Sequence, residues 1–242
     1  FGIEVRMRRH QRTVERAVLV AHGAGRGQRI CIDHQLAIAF RHGDQVATDP
    51  RDVDVVIVGH ALNRLRDALL ARAEVLDELC AARHVHFAMP LSRALAQALL
   101  PALAAAGCTT SLDVGFSPDW LAAPHNHATC REVDYFLPNQ KEAALLGCGD
   151  GAEACRQWAQ TLGLRHAAIK LGGAGAMAVD AAGARRVAAP AVQVRDTTGA
   201  GDTYVGVLVA ALSEGLALPQ AMRRASVGAA LACTRDGAQP SM

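Results

Sequence analysis

The sequence predicts an α/β fold: a three-layer, doubly wound, mostly parallel sheet. Short apolar runs alternate with segments of helical spacing, the pattern of strands covered by helices on both faces. Val53–Val58 is a continuous apolar run, as suits a strand buried on both sides of a parallel sheet. Leu62–Ala82 then shows helical spacing through Leu65, Leu69, Leu70, Val75, Leu76 and Leu79. Composition agrees. The 242 residues are 51% hydrophobic and only 4% aromatic, enough for one large core built mainly from aliphatic side chains. No repeat or low-complexity linker divides them, so residues 1–242 read as a single domain. Within it, 1–50 supply partial edge strands and 53–242 the core.

The elements follow in order. Ala17–Ala21 reads as a short strand, and Gly23–Gly27 as a turn that lacks the Gly-Lys-Ser/Thr ending of a P-loop. Ile30–Phe40 alternates as a strand and ends at a His42-Gly43-Asp44 turn. Strands are expected at Val85–Met89, Thr109–Val114, Val133–Leu137 and Ala167–Leu171. Helices are expected at Ser92–Ala106, Asn139–Leu146, Ala152–Leu162, Gly201–Ser213 and Pro219–Thr234. Ser117–Thr129, with its prolines and histidines, reads as a loop. Ala176–Val179 and Arg186–Ala189 read as hairpin strands around a turn at Asp180–Gly183.

Composition also excludes functions. A net charge of +2 gives no basic field for nucleic acid or a membrane surface. No stretch is apolar and charge-free for long enough to cross a bilayer, and the start is not a signal peptide. The cytoplasm is the expected location. Seven cysteines, none in CxxC spacing, read as reduced thiols. His84/His86 and His125/His127 lack ligand-bearing neighbours at useful spacing and read as strand and loop histidines.

The richest segment is Asp196-Thr-Thr-Gly-Ala-Gly-Asp202, followed by an apolar run from Tyr204 to Leu212. Small residues precede a helix whose first backbone N–H groups lack intrahelical partners and whose dipole favours anions. Gly199, Ala200 and Gly201 leave room for a phosphate on those groups, with Asp202 beside it. A plain capped turn is the alternative reading of the glycines alone. Pro138-Asn139-Gln140-Lys141-Glu142 places Asn139 and Glu142 on one face of a helix start, which by itself is a capping box. Lys170-Leu-Gly-Gly-Ala-Gly175 follows a strand but has the wrong spacing for a dinucleotide fingerprint.

Taken together, these segments resemble the ribokinase-like (PfkB) carbohydrate kinases. The match is in register from about Asp113 to the C-terminus and looser back to Val53. The resemblance implies an ATP-dependent transfer of phosphate to the hydroxyl of a sugar or sugar-like alcohol. Residues 53–242 would then form the nucleotide-binding core, and 1–50 partial lid or edge strands, remnants of the family's small β lid near the N-terminus. It implies Asp202 as catalytic base, with Gly199, Ala200 and Gly201 as the anion hole. Asn139 and Glu142 resemble the family's Asn-x-x-Glu motif, near the phosphates and a hydrated Mg²⁺ held by Glu142 through water. Lys170, Gly172 and Gly175 lie on the strand-loop that passes the nucleotide, where close backbone approach explains the glycines. Ser226 falls near adenine.

Asp196, Thr198, Ala232, Arg235, Gly237 and Ser241 would supply oxygens, mostly carbonyls, to K⁺. Asp113 stands where the family has an Asp-Pro-Asn-like segment, but Asp113-Val114-Gly115 lacks the Asn. The family's first sugar-binding strand, its Gly-Gly-x-x-Asn helix start and its last helix have no counterpart here. Near Met89, where ribokinase places a sugar-contacting Glu, the chain reads Phe-Ala-Met-Pro-Leu. The partners expected are ATP and a small sugar, with a homodimer compatible with the fold. The alternative function is a nucleotide-binding remnant of such a kinase with little turnover.

Overall fold

The computed structural model describes residues 2–10, 14–23, 26–33, 37–42, 53–58 and 73–237, with side chains at 73 and 75–237. The segments read from sequence at 24–25, 43–44 and 62–72, and Ser241, lie outside the described residues. Two compact units are present, 1–110 and 111–242.

The first unit begins with β1 (Gly2–His10), β2 (Val14–Gly23), β3 (Arg26–Asp33) and β4 (Ala37–His42), paired antiparallel in sequence order. These occupy the stretch assigned above to lid or edge strands. One correction arises here: Ile30–Phe40, read as a single strand, is an antiparallel pair, with Asp33 opposite Ala37. Alternation continues across the reversal, so periodicity alone could not detect it. β5 (Val53–Val58) pairs antiparallel with β4 and parallel with β6 (His84–Phe87). The parallel pair requires a crossover, and α1 (Ala73–Cys80) lies within it. α2 (Arg93–Ala105) starts at Ser92, whose hydroxyl accepts the Leu95 N–H at 3.2 Å. Its Leu99 and Leu103 are buried, as are Phe87, Met89 and Leu91.

β7 (Thr109–Leu112) stands at the division between the units. In the second unit its Ser111–Leu112 end pairs parallel with β8 (Tyr135–Phe136), which pairs parallel with β9 (His166–Lys170). β10 (Ala176–Asp180) and β11 (Gly183–Val187) complete an antiparallel hairpin on β9. The stretch read as a loop at Ser117–Thr129 is mostly helical. It holds α3 (Pro118–Ala122), a 3₁₀ turn at Pro124–Asn126 and the start of α4 (His127–Glu132). Proline is well suited to the first turn of a helix, so Pro118 and Pro124 start helical turns here. α5 (Gln140–Leu145) and α6 (Ala152–Leu162) form the crossover between β8 and β9.

α7 (Ala200–Ser213) and α8 (Leu218–Ala232) pack together near the C-terminus. Gly228 permits their approach: a Cβ there would meet Val207 Cγ2 at 3.0 Å. Leu112, Leu121, Phe136, Leu137, Ile169 and Leu208 are fully buried in this unit. Each such side chain contributes about 2 kcal/mol by leaving water. That core holds the C-terminal ends of β7, β8 and β9 in place, where ligand sites of α/β sheets gather.

Candidate active site

Four side chains meet where those three parallel strands end. Asp113 follows β7 directly, Asn139 follows β8 after Leu137 and Pro138, and Lys170 is the last residue of β9. The Lys170 N–H donates to the Pro138 carbonyl at 2.9 Å, and Asn139 forms an isolated parallel bridge with Lys170. Asn139 caps α5. Its Oδ1 accepts the Glu142 N–H at 3.0 Å, while its own N–H and Nδ2 donate to Glu142 Oε2 and Oε1 at 2.8 and 2.6 Å. The capping box expected from the sequence is therefore complete. Glu142 is 1% exposed. Burial pushes its carboxyl above the ordinary value; the Asn139 N–H and Lys170 work against that shift, and Asp113 adds to it.

The Lys170 ammonium pairs with Asp113 Oδ2, both side chains being mostly buried. Asp113 Oδ1 also accepts the Gly115 N–H at 3.1 Å. This ion pair was not foreseen from the sequence. Its signal was an acidic residue and a lysine at the ends of strands flanking the two-residue β8, and that adjacency exists only once β7, β8 and β9 are paired.

A second group forms at the start of α7. Gly199 is its N-cap with φ 76°, the left-handed conformation that favours glycine. Ala200 donates to the Thr197 carbonyl at 3.1 Å, so its N–H is already engaged in the turn. The N–H groups of Gly199, Gly201 and Asp202 have no acceptor among the described residues. Asp202 is exposed in the first helical turn.

Asp196 organises the approach to that turn. Its Oδ1 accepts from Thr198 Oγ1 at 2.7 Å and Thr198 N at 2.8 Å, and its Oδ2 accepts the Gly237 N–H at 2.8 Å. These donors, the Thr198 hydroxyl first, hold its carboxyl below the usual range. Arg195 N also donates to the Cys233 carbonyl at 2.8 Å. The segments at 195–198 and 233–237 are thus tied together. Ala232 O accepts from Arg235 N at 3.2 Å. Among the described residues, no hydrogen bond or ion pair joins this group to the Asp113–Lys170 group.

Two glycines of the β9–β10 loop differ in kind. Gly172 (φ 59°) faces open space. Gly175 (φ 92°) is pressed by protein: a Cβ there would lie 2.1 Å from the Val187 carbonyl oxygen. The close approach that requires glycine at 175 is made by the end of β11. Ser226 is 4% exposed in α8, and its hydroxyl has no partner among the described residues.

The donor sets bear on metals. Among the described residues, no three His, Cys, Asp or Glu side chains cluster. Glu142 is hydrogen-bonded through both carboxylate oxygens, and Asp113 is ion-paired to Lys170.

Phosphoryl-transfer enzymes act chiefly by positioning the transferring group and stabilising its charge. Residues 44–242 match the pfkB family carbohydrate kinase, and the chain belongs to that family, whose members are ATP-dependent carbohydrate kinases. Ribokinase from Arabidopsis thaliana is 33% identical over 146 residues, covering 57% of this chain and 37% of that protein. Aminoimidazole riboside kinase from Salmonella typhimurium is 37% identical over 92 residues, 36% of this chain and 29% of that one. The solved Arabidopsis ribokinase, complexed with ribose and ATP, matches with TM-score 0.63 at 28% identity, over 71% of this chain and 56% of that chain. Thermotoga maritima ribokinase matches with TM-score 0.59 at 25% identity, over 74% and 58% respectively. The chain spans well under two thirds of the length of each of these relatives.

Proposed function

We propose that this chain carries the nucleotide end of an ATP-dependent phosphotransferase acting on the hydroxyl of a sugar or sugar-like substrate. The observation that supports this most is the start of α7. A left-handed glycine opens a helix of 14 residues, N–H groups there lack acceptors among the described residues, and Asp202 stands exposed among them. In this reading, the N–H groups of Gly199, Gly201 and Asp202 receive the transferring phosphoryl oxygens, and Asp202 accepts the proton of the attacking hydroxyl. Ala200 contributes its small side chain, its N–H being engaged by Thr197.

Mg²⁺ would neutralise charge on the phosphates. Glu142, oriented by Asn139, would hold one of its waters, while Lys170 and Gly172 border the nucleotide. Gly175 supports that loop from within. K⁺ would sit between the segments that Asp196 ties together, with carbonyls of Thr198, Ala232, Arg235 and Gly237 as donors. Ser226, assigned near adenine, is buried in α8 with its hydroxyl unbonded among the described residues.

The test is Asp202→Asn, assayed for ADP release across a panel of sugars. Loss of the base is expected to slow transfer by about 10²–10⁴ with ATP affinity little changed. Wild-type turnover in that variant removes the base assignment. ATP binding by the unaltered chain without sugar-dependent ADP release assigns it the second function, nucleotide binding without transfer.

A further inference from the structure

Apart from the site, the described residues hold one close pair of thiols. Cys148 lies in the turn after α5, and Cys155 is in the first turns of α6. Their sulfurs are 3.6 Å apart. Cys155 is buried and Cys148 is partly exposed. A disulfide requires about 2.05 Å between sulfurs, so about 1.5 Å of closure is needed. The turn can yield that much: Gly147 and Gly151 hold φ of 85° and 88°, and Gly149 lies between them. Its start is anchored to α5 and to α6. Cys148 N donates to the Ala143 carbonyl at 2.9 Å, and Trp158 Nε1 donates to the Leu146 carbonyl at 3.1 Å. The fold therefore presents the two thiols to each other before any oxidation.

We infer that Cys148 and Cys155 form a reversible disulfide that latches the end of α5 to the start of α6. The oxidant is a low-molecular-weight disulfide such as oxidised glutathione. The partly exposed Cys148 thiolate attacks one glutathione sulfur. The glutathione S–S bond breaks, and one glutathione leaves as thiolate, taking up the proton that Cys148 lost. The Cys155 thiolate then attacks the Cys148 sulfur and expels the second glutathione, which takes the Cys155 proton. Two protein thiols lose two electrons, and one glutathione disulfide becomes two glutathiones. Burial first, then the neighbouring Cys155 and Asp150, pushes the Cys148 thiol up to about 12. Thiolate is scarce at neutral pH, so closure is slow, and position of equilibrium is the informative measure.

The latch lies at the far end of the helix whose first turn carries Asn139 and Glu142, and it stands independently of the function proposed above. Trypsin cuts after Lys141 and Arg156, so one peptide, Glu142–Arg156, contains both cysteines. The whole folded chain is equilibrated in glutathione buffers of stepped ratio, alkylated, digested and weighed. The same peptide, made synthetically, is treated in parallel. The expected result is loss of two hydrogens from that peptide, with half-conversion at a ratio at least about tenfold more reducing than the free peptide needs. Cys155→Ser is expected to stop at a glutathione adduct on Cys148. Three results overturn the inference: equal half-conversion in chain and peptide, a glutathione adduct as the sole product of the unaltered chain, or no oxidation at any ratio.

Discussion

Replacing Gly175 by alanine is expected to cost the second unit about 4 kcal/mol, from two separable sources. The first is backbone conformation. Gly175 holds φ 92° and ψ −130°, a region essentially reserved for glycine, and a side chain there costs about 1–3 kcal/mol. The second is overlap. The new Cβ would lie 2.1 Å from the Val187 oxygen, 2.7 Å from Ala189 N and 2.9 Å from the Ala188 carbonyl carbon. All three are backbone atoms, so no side chain can swing aside. Moving the Cβ out to 3.0 Å from the oxygen shifts the end of β11 and disturbs the Ala176–Val187 rung and the Leu171 N–H bond to Gly175 O. Each hydrogen bond weakened there costs about 1 kcal/mol.

Two neighbours serve as controls. Gly172→Ala meets only the φ penalty, about 1 kcal/mol, because nothing lies near its Cβ. Gly173→Ala meets open space without a positive φ and is expected to be neutral or slightly stabilising. The assay is urea unfolding followed by the fluorescence of Trp120 and Trp158. A Gly175→Ala variant within about 1 kcal/mol of the unaltered chain would refute the reasoning, because the end of β11 would then not press on this loop.

Two further outcomes are expected. Asp113→Asn and Lys170→Met are each expected to destabilise by about 3 kcal/mol, since each leaves one mostly buried charge unpaired. The double variant should cost clearly less than their sum, and simple additivity in a double-mutant cycle would show that the pair is not coupled. His84 is fully buried, with Nδ1 at 2.8 Å from Thr109 Oγ1, and burial, with His86 adding to it, lowers its pKa to about 3. A depressed value in the folded state means full stability above the unfolded value and loss as pH falls towards 3. Near pH 5 the loss is about 2 kcal/mol, read from urea midpoints across pH. His84→Gln should flatten that slope, and an unchanged slope would place the titration elsewhere.

Much of the candidate site was legible because it is local in sequence. The Asn139–Glu142 box needs only a helix start and residues three apart, and it forms as spacing requires. The left-handed bend at Gly199 and the exposed Asp202 follow from a glycine string ahead of an apolar run. The boundaries of α6 coincide with the Ala152–Leu162 read from the sequence, with Gly163 in the left-handed stop position. Ser117–Thr129 was misread because prolines and histidines look like loop, while Pro118 and Pro124 in fact begin helical turns.

By itself, then, the chain's pattern determined the α/β class, the family and the glycine-opened turn ahead of α7, since these are read from residues close in sequence. Only the tertiary structure decided that Lys170 pairs with Asp113 across 57 residues, that Gly237 N–H closes on Asp196, and that Gly175 is pinned by Val187. The reason is physical: each depends on strands or segments brought side by side by burial of the core. Periodicity along one chain carries no record of which neighbour will lie across the gap.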